Sequence, residues 1–192
     1  MANWPRIIIL LLLYSTAGQR ESDINLVSQI DLNKSAALNN DTHTYIKTIL
    51  NGSASGLLTS DRDVDEQLIL VIQFVESVKI KQLIIYANHE LTNDRQSAAA
   101  TIKLFVNSPN MDFNDCESNQ ATQSFTLDSA QLNTGQVCAL KLVKFNNVQS
   151  ITMYIPNNMN STPVTYINRL DFIGSPIAGF NVAAIKKVGG ED

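Results

Sequence analysis

A chain of 192 residues with a formal charge of −4 has the length of one domain and the wrong sign of charge for a nucleic-acid binder. With 44% hydrophobic and 17% charged residues it can close a core. Cys116 and Cys138 form no Cys-x-x-Cys pair, and His43 and His89 stand far apart. Thioredoxin-type exchange and a zinc site are therefore not expected, and no cofactor is implied.

The N-terminus carries Arg6, an unbroken apolar run from Ile7 to Leu13, then Tyr14-Ser15-Thr16-Ala17-Gly18. That order is the pattern of a secretory signal peptide. The run is too short for a bilayer span, which takes about 20 residues. Asn-x-Ser/Thr triplets at Asn33, Asn40, Asn51 and Asn160 would accept glycans in a secreted chain. The competing reading of residues 1–20 is an apolar segment, or a start placed upstream of the true domain.

Residues 19–64 are polar, with a weakly amphipathic stretch from Ile24 to Leu38 that suggests a short helix contacting the core through Leu26, Ile30 and Leu38. Asn51 to Asp63 reads as loop, with Gly52 and Gly56 supplying freedom. From Gln67 the character changes. Leu68–Ile72 is a continuous apolar run and Val78–Ile85 begins with strict alternation, so both are expected strands. A polar loop from Asn88 to Ser97 precedes a strand at Thr101–Val106, which Pro109 ends. Strands follow at Gln123–Leu127, Ala139–Phe145, Ser150–Ile155 and Thr165–Ile173. Lys79, Lys81, Lys103, Lys141 and Lys144 fall at strand-like spacings and are expected on the wet side of a sheet. Short strands with turns between them and no strong helix predict a β-sandwich or jelly roll.

Several blocks carry a family resemblance. Ile30-Asp31-Leu32-Asn33-Lys34 with Leu38-Asn39 comes first, then Asp63-Val64-Asp65-Glu66-Gln67-Leu68-Ile69-Leu70 and Ser77-Val78-Lys79-Ile80-Lys81. The segment from Ile102 to Phe113, Leu142-Val143-Lys144-Phe145-Asn146-Asn147-Val148, and Asp171-Phe172-Ile173-Gly174-Ser175-Pro176 complete the series. In this order they resemble the PITH domain, the C-terminal module of proteasome-interacting thioredoxin-like proteins, over residues 24–188. Residues 189–192 are expected to be a flexible tail. The resemblance implies an all-β, galactose-binding-like jelly roll in the cytoplasm or nucleus, docking to the regulatory particle of the 26S proteasome. The chain has no thioredoxin domain ahead of these blocks and so looks like the stand-alone PITH proteins; its signal-like start departs from the family.

Asp61, Asp63, Asp65 and Glu66 form an acidic turn before a buried strand. Three readings stand: a charged docking surface, a weak calcium site that would lack the glycine and distal Glu of an EF-hand loop, or a solvated strand entrance whose carboxylates accept backbone bonds. Met111 and Phe113 follow a Pro-containing turn, where an exposed apolar side chain would anchor a protein partner and a buried one would close the end of the sandwich. In an oxidising compartment Cys116 and Cys138 could pair, adding on the order of 3 kcal/mol if their side chains meet; in the cytosol they would be small hydrophobes or free thiols.

The sequence contains no Gly-x-Ser-x-Gly elbow, no His-Glu-x-x-His and no P-loop. The expectation is a non-catalytic protein-binding module with neither nucleic-acid nor stable membrane partners. Its alternative is a secreted galactose-binding-like domain recognising a glycan or a cell-surface protein.

Overall fold

A computed structural model of the chain describes residues 22–88 and 96–177. The apolar start at residues 1–20, His89 and the tail at 189–192 lie outside them. The order of elements opens with β1 (Ile24–Asn25), a 3-10 turn (Leu26–Gln29), β2 (Ala36–Leu38), α1 (Ile46–Leu50) and β3 (Leu58–Thr59). Asn25 Oδ1 accepts from Val27 N at 3.0 Å and starts the 3-10 turn, the helical element expected here. Leu26 and Ile30 are buried as expected, whereas Leu38 is 37% exposed.

The two strands expected at Leu68–Ile72 and Val78–Ile85 are one strand, β4 (Leu68–Tyr86), of 19 residues. Its polar middle is not a break but an irregularity, where the pairing with β9 (Val148–Ile155) shifts register between Gln73 and Val78. Before the bend β4 lies between β9 and β2; after it, between β11 (Arg169–Pro176) and β8 (Gln136–Ala139). β6 (Thr101–Val106) and β7 (Gln123–Thr126) extend the sheet beyond β9, and β1 closes it beyond β11. A second, three-stranded sheet sets β10 (Val164–Ile167) between β3 and a parallel β5 (Gln96–Ala98). The polar loop expected from Asn88 to Ser97 thus yields to a strand at Gln96, its middle lying outside the described residues.

Both halves of β4 face one core. Leu68, Leu70 and Ile72 meet Ile102, Leu104, Ile151 and Met153, and the second half adds Leu83, Ile85, Leu170 and Phe172. Phe74 and Phe172 join the halves edge to face at 5.7 Å. Ile69 and Val71 point the other way, since side chains alternate along a strand. That opposite face carries Phe105 and Tyr154 and is covered by α2 (Phe113–Ser118). Coverage on both faces explains why residues 68–72 are uninterruptedly apolar.

Two expected strands need correction. The strand predicted at Ala139–Phe145 ends at Ala139, because Lys141 O turns back to accept from Lys144 N and Phe145 N. Lys141 and Lys144 accordingly sit in a turn rather than on a sheet. The segment Thr165–Ile173 is divided at Asn168, whose buried side chain bonds Gly56 O and Asn88 N.

Candidate functional site

The acidic turn is held from behind by uncharged side chains. Asn39, at a φ of 62°, reaches across with Nδ2 to Asp65 Oδ1 at 2.6 Å and to Gln67 O at 2.8 Å. Asn tolerates this left-handed backbone better than most residues. Asp61 Oδ1 accepts from Asp63 N, and Asp65 Oδ1 from Gln67 N, both at 2.9 Å. Thr165 Oγ1 donates to Glu66 O at 2.6 Å. Asp65 and Glu66 are half-buried, while Asp63 and Val64 project into solvent, Val64 with 67% of its surface exposed.

α2 is started by a capping box. Asp112 accepts from Asp115 N at 2.8 Å, and the Asp115 carboxylate accepts from Asp112 N at 3.2 Å. The box turns Phe113 and Cys116 toward the sheet. Phe113 packs edge to face on Tyr154, with centroids 6.1 Å apart, and Met111 packs against the same cluster. Both are half-buried: they seal this face of the sheet with their inner surfaces.

Tyr154 is where the two candidate regions meet. Only 1% exposed, its hydroxyl donates to Gln67 Oε1 at 2.7 Å and lies 3.2 Å from Glu117 Oε1. Gln67 ends the acidic turn and Glu117 belongs to α2, so one phenol braces both. Burial, then the Glu117 carboxylate, hold the Tyr154 phenol well above the usual tyrosine range. Lys103 lies over the ring at 5.6 Å. Residue types alone did not single out Tyr154, Gln67 or Asn39. The available signal was a tyrosine on the opposite parity from Met153 and Ile155 in an apolar strand.

Cys116 lies in the cluster beneath α2 and Cys138 in the main core; both are buried and free. Burial pushes each thiol up to about 11, with Asp115 and Asp112 adding to the effect at Cys116. Among the described residues no cluster of His, Cys, Asp or Glu is placed to hold a metal ion, and no helix is long and apolar enough to cross a membrane. A surface hollow of about 360 Å³ is lined by Ser97, Asn133, Met159, Asn160 and Tyr166 among others. Its described lining has no carboxylate, histidine or cysteine, so it offers no acid–base pair there.

The family model for the PITH domain matches residues 16–189. The chain belongs to the PITH domain family. Thioredoxin-like protein 1 of Schizosaccharomyces pombe is 33% identical over 153 residues, covering 79% of this chain and 51% of that protein. PITH domain-containing protein 1 of Homo sapiens is 33% identical over 110 residues, covering 56% of the chain and 48% of the relative. This PITH chain spans about half the length of these relatives. The family 32 CBM from C. perfringens NanJ, solved in complex with galactose, superposes with a TM-score of 0.59 over 79% of this chain and 98% of its own, at 8% identity. CBM32-3 from a family 31 glycoside hydrolase of Clostridium perfringens gives a TM-score of 0.56 at 12% identity, over 77% and 95%. At such identities the likeness shows the fold: a jelly-roll sandwich, as the strand pattern predicts, of the galactose-binding-like type that the family resemblance implies.

Proposed function

We propose that this PITH domain is a non-catalytic protein-binding module, acting in the cytoplasm or nucleus, that docks to the regulatory particle of the 26S proteasome. The observation that carries the reading is the bracing of the acidic turn and α2 by Tyr154. It gives Asp63 and Val64 a rigid base from which to project, and a preformed tip loses little entropy on binding. Asp63, Asp65 and Glu66 supply negative charge for steering a basic partner surface. Met111 and Phe113, half-buried against the Tyr154 cluster, offer their outer sides for apolar contact. Asp65 and Glu66 contribute mainly by fixing the turn, so Asp63 and Val64 are the contact residues of this reading.

The test is binding of purified regulatory particle to the immobilised full chain. Val64→Asp and Asp63→Lys should each weaken capture by about tenfold, the loss of roughly 1.4 kcal/mol at one anchor. Wild-type protein that fails to bind purified particle would defeat the docking reading. Undiminished binding by both variants would move the contact elsewhere on the domain. The secreted glycan-binding alternative rests on the signal-like start, the Asn-x-Ser/Thr triplets and the fold likeness, and no feature of the site favours it.

A further inference from the structure

Leu142 and Val143 stand 49% and 88% exposed at the tip of the turn that follows β8. Single exposed aliphatics are ordinary on protein surfaces. These two differ in being adjacent, in sitting on a fixed base and in being flanked by Lys141 and Lys144. The base begins with Leu140 and Phe145, which bury to 7% and 0% exposure on either side of the tip. Gln123 clamps the incoming chain, donating from Nε2 to Ala139 O at 2.9 Å and accepting from Lys141 N at 3.0 Å. Lys144 N closes on Lys141 O at 2.8 Å, and Ile80 N holds Phe145 O at 2.9 Å.

The charges at the tip are uncompensated. The Lys144 ammonium donates to Thr122 O at 3.1 Å, a neutral carbonyl, and among the described residues neither Lys141 nor Lys144 makes an ion pair. A chain with net charge −4 thus holds two cations beside two solvent-facing aliphatics. Entering this turn, β8 exposes Val137 and Ala139 on one face.

We propose that the Lys141–Lys144 turn is a second docking tip, which takes an acidic segment of a protein partner bearing an apolar pocket or side chain between its carboxylates. Charge complementarity selects the partner's sign, and Val143 supplies the apolar contact that sets register. An anionic membrane is the lesser fit: basic clusters that read lipid use about four to eight Lys or Arg, against the two here. The tip is separate from the acidic turn and calls for the opposite partner charge, so the inference does not depend on the proteasome reading.

The test places a photo-reactive benzophenone amino acid at Val143 of the full chain in cells, with the same group at Val75 as control. Val75 is 64% exposed but is followed by Glu76 rather than flanked by lysines. Mass spectrometry of the Val143 adduct should identify a protein segment with an aliphatic residue among Asp or Glu. Lys141→Glu with Lys144→Glu should lower the adduct yield by about tenfold or more, without changing the Val75 signal. No adduct above the Val75 control, a lipid adduct, an adduct on a basic segment, or a yield indifferent to charge reversal would each overturn the proposal. An acidic adduct outside the proteasome would uphold it whatever the fate of regulatory-particle binding, and the absence of a Val143 adduct from the chain with both lysines intact, alongside intact particle binding, would reject it alone.

Discussion

Gly174 offers a sharp test of how tightly β11 is seated on β4. It pairs with Ile80 where the β11–β4 register shifts between Ile173 and Gly174. A Cβ at this position would lie 1.9 Å from Lys79 O, 2.9 Å from Lys79 C and 3.0 Å from Ile80 Cα, all backbone atoms of a central strand. No rotamer change relieves such contacts, so Gly174→Ala must push β11 off β4 or stretch its ladder. Overpacking in a well-packed interior costs about 1–3 kcal/mol and sometimes more, and a backbone neighbour puts this case at about 3 kcal/mol. Gly52 is the matched control. A Cβ there meets nothing within 4 Å, but its φ is +78°, so Gly52→Ala should cost only the left-handed backbone term, about 1 kcal/mol. Equilibrium urea unfolding reads both. With a slope of about 2 kcal/mol per molar, the midpoints should fall by about 1.5 M and 0.5 M. A Gly174→Ala midpoint within the Gly52→Ala value would refute the argument that β4 cannot yield.

Arg169 makes a two-pronged pair with Asp171, whose side chain is 3% exposed, and stacks on Tyr86 at 4.9 Å. Arg169→Met should therefore cost about 3–5 kcal/mol in urea unfolding by leaving a buried carboxylate unpaired, while Arg169→Met with Asp171→Asn should recover part of the loss. The thiols of Cys116 and Cys138, raised from 9.0 to about 11 in the fold, should resist an aromatic disulfide reagent at pH 8 until the protein unfolds. Because the unfolded chain releases these protons first, their contribution to stability should be intact below pH 9 and fall as pH rises toward 11, measurable as a declining urea midpoint. Tyr154→Phe keeps the ring packing and removes the link to Gln67, so thermal unfolding should show a loss of about 1 kcal/mol, or about 2–4 °C.

Much of this architecture could be read from residue order, and the failures have physical reasons. Leu68–Ile72, Thr101–Val106 and Ser150–Ile155 lie in strands because their apolar patterns are long enough to require a covered sheet. The polar Glu76-Ser77 looked like a boundary between strands; in space it is a bend that lets one strand serve both halves of the sandwich. Lys141-Leu142-Val143-Lys144-Phe145 has the composition of a strand, yet Gln123 occupies the backbone groups at its start and only Phe145 turns inward. That competition comes from a distant residue, invisible to local periodicity. At the candidate site, the acidic turn and the Met111–Phe113 segment were legible as separate features. Their common support was not, since Tyr154 is 87 positions from Gln67 and 37 from Glu117.

β1 pairs antiparallel with β11, Ile24 opposite Gly174, so the described chain enters and leaves along a single border of the sheet. Whatever is joined ahead of residue 22 and whatever follows residue 177 must depart from neighbouring points. A short linker between those points would reconnect the domain into a ring, and the ring could then be opened at an exposed turn without disturbing either half of the sandwich. The same geometry means that a module joined at either end would attach at the β1–β11 border, two strands from the base of the tip after β8, where Ile80 pairs with Gly174 on one side and holds Phe145 O on the other.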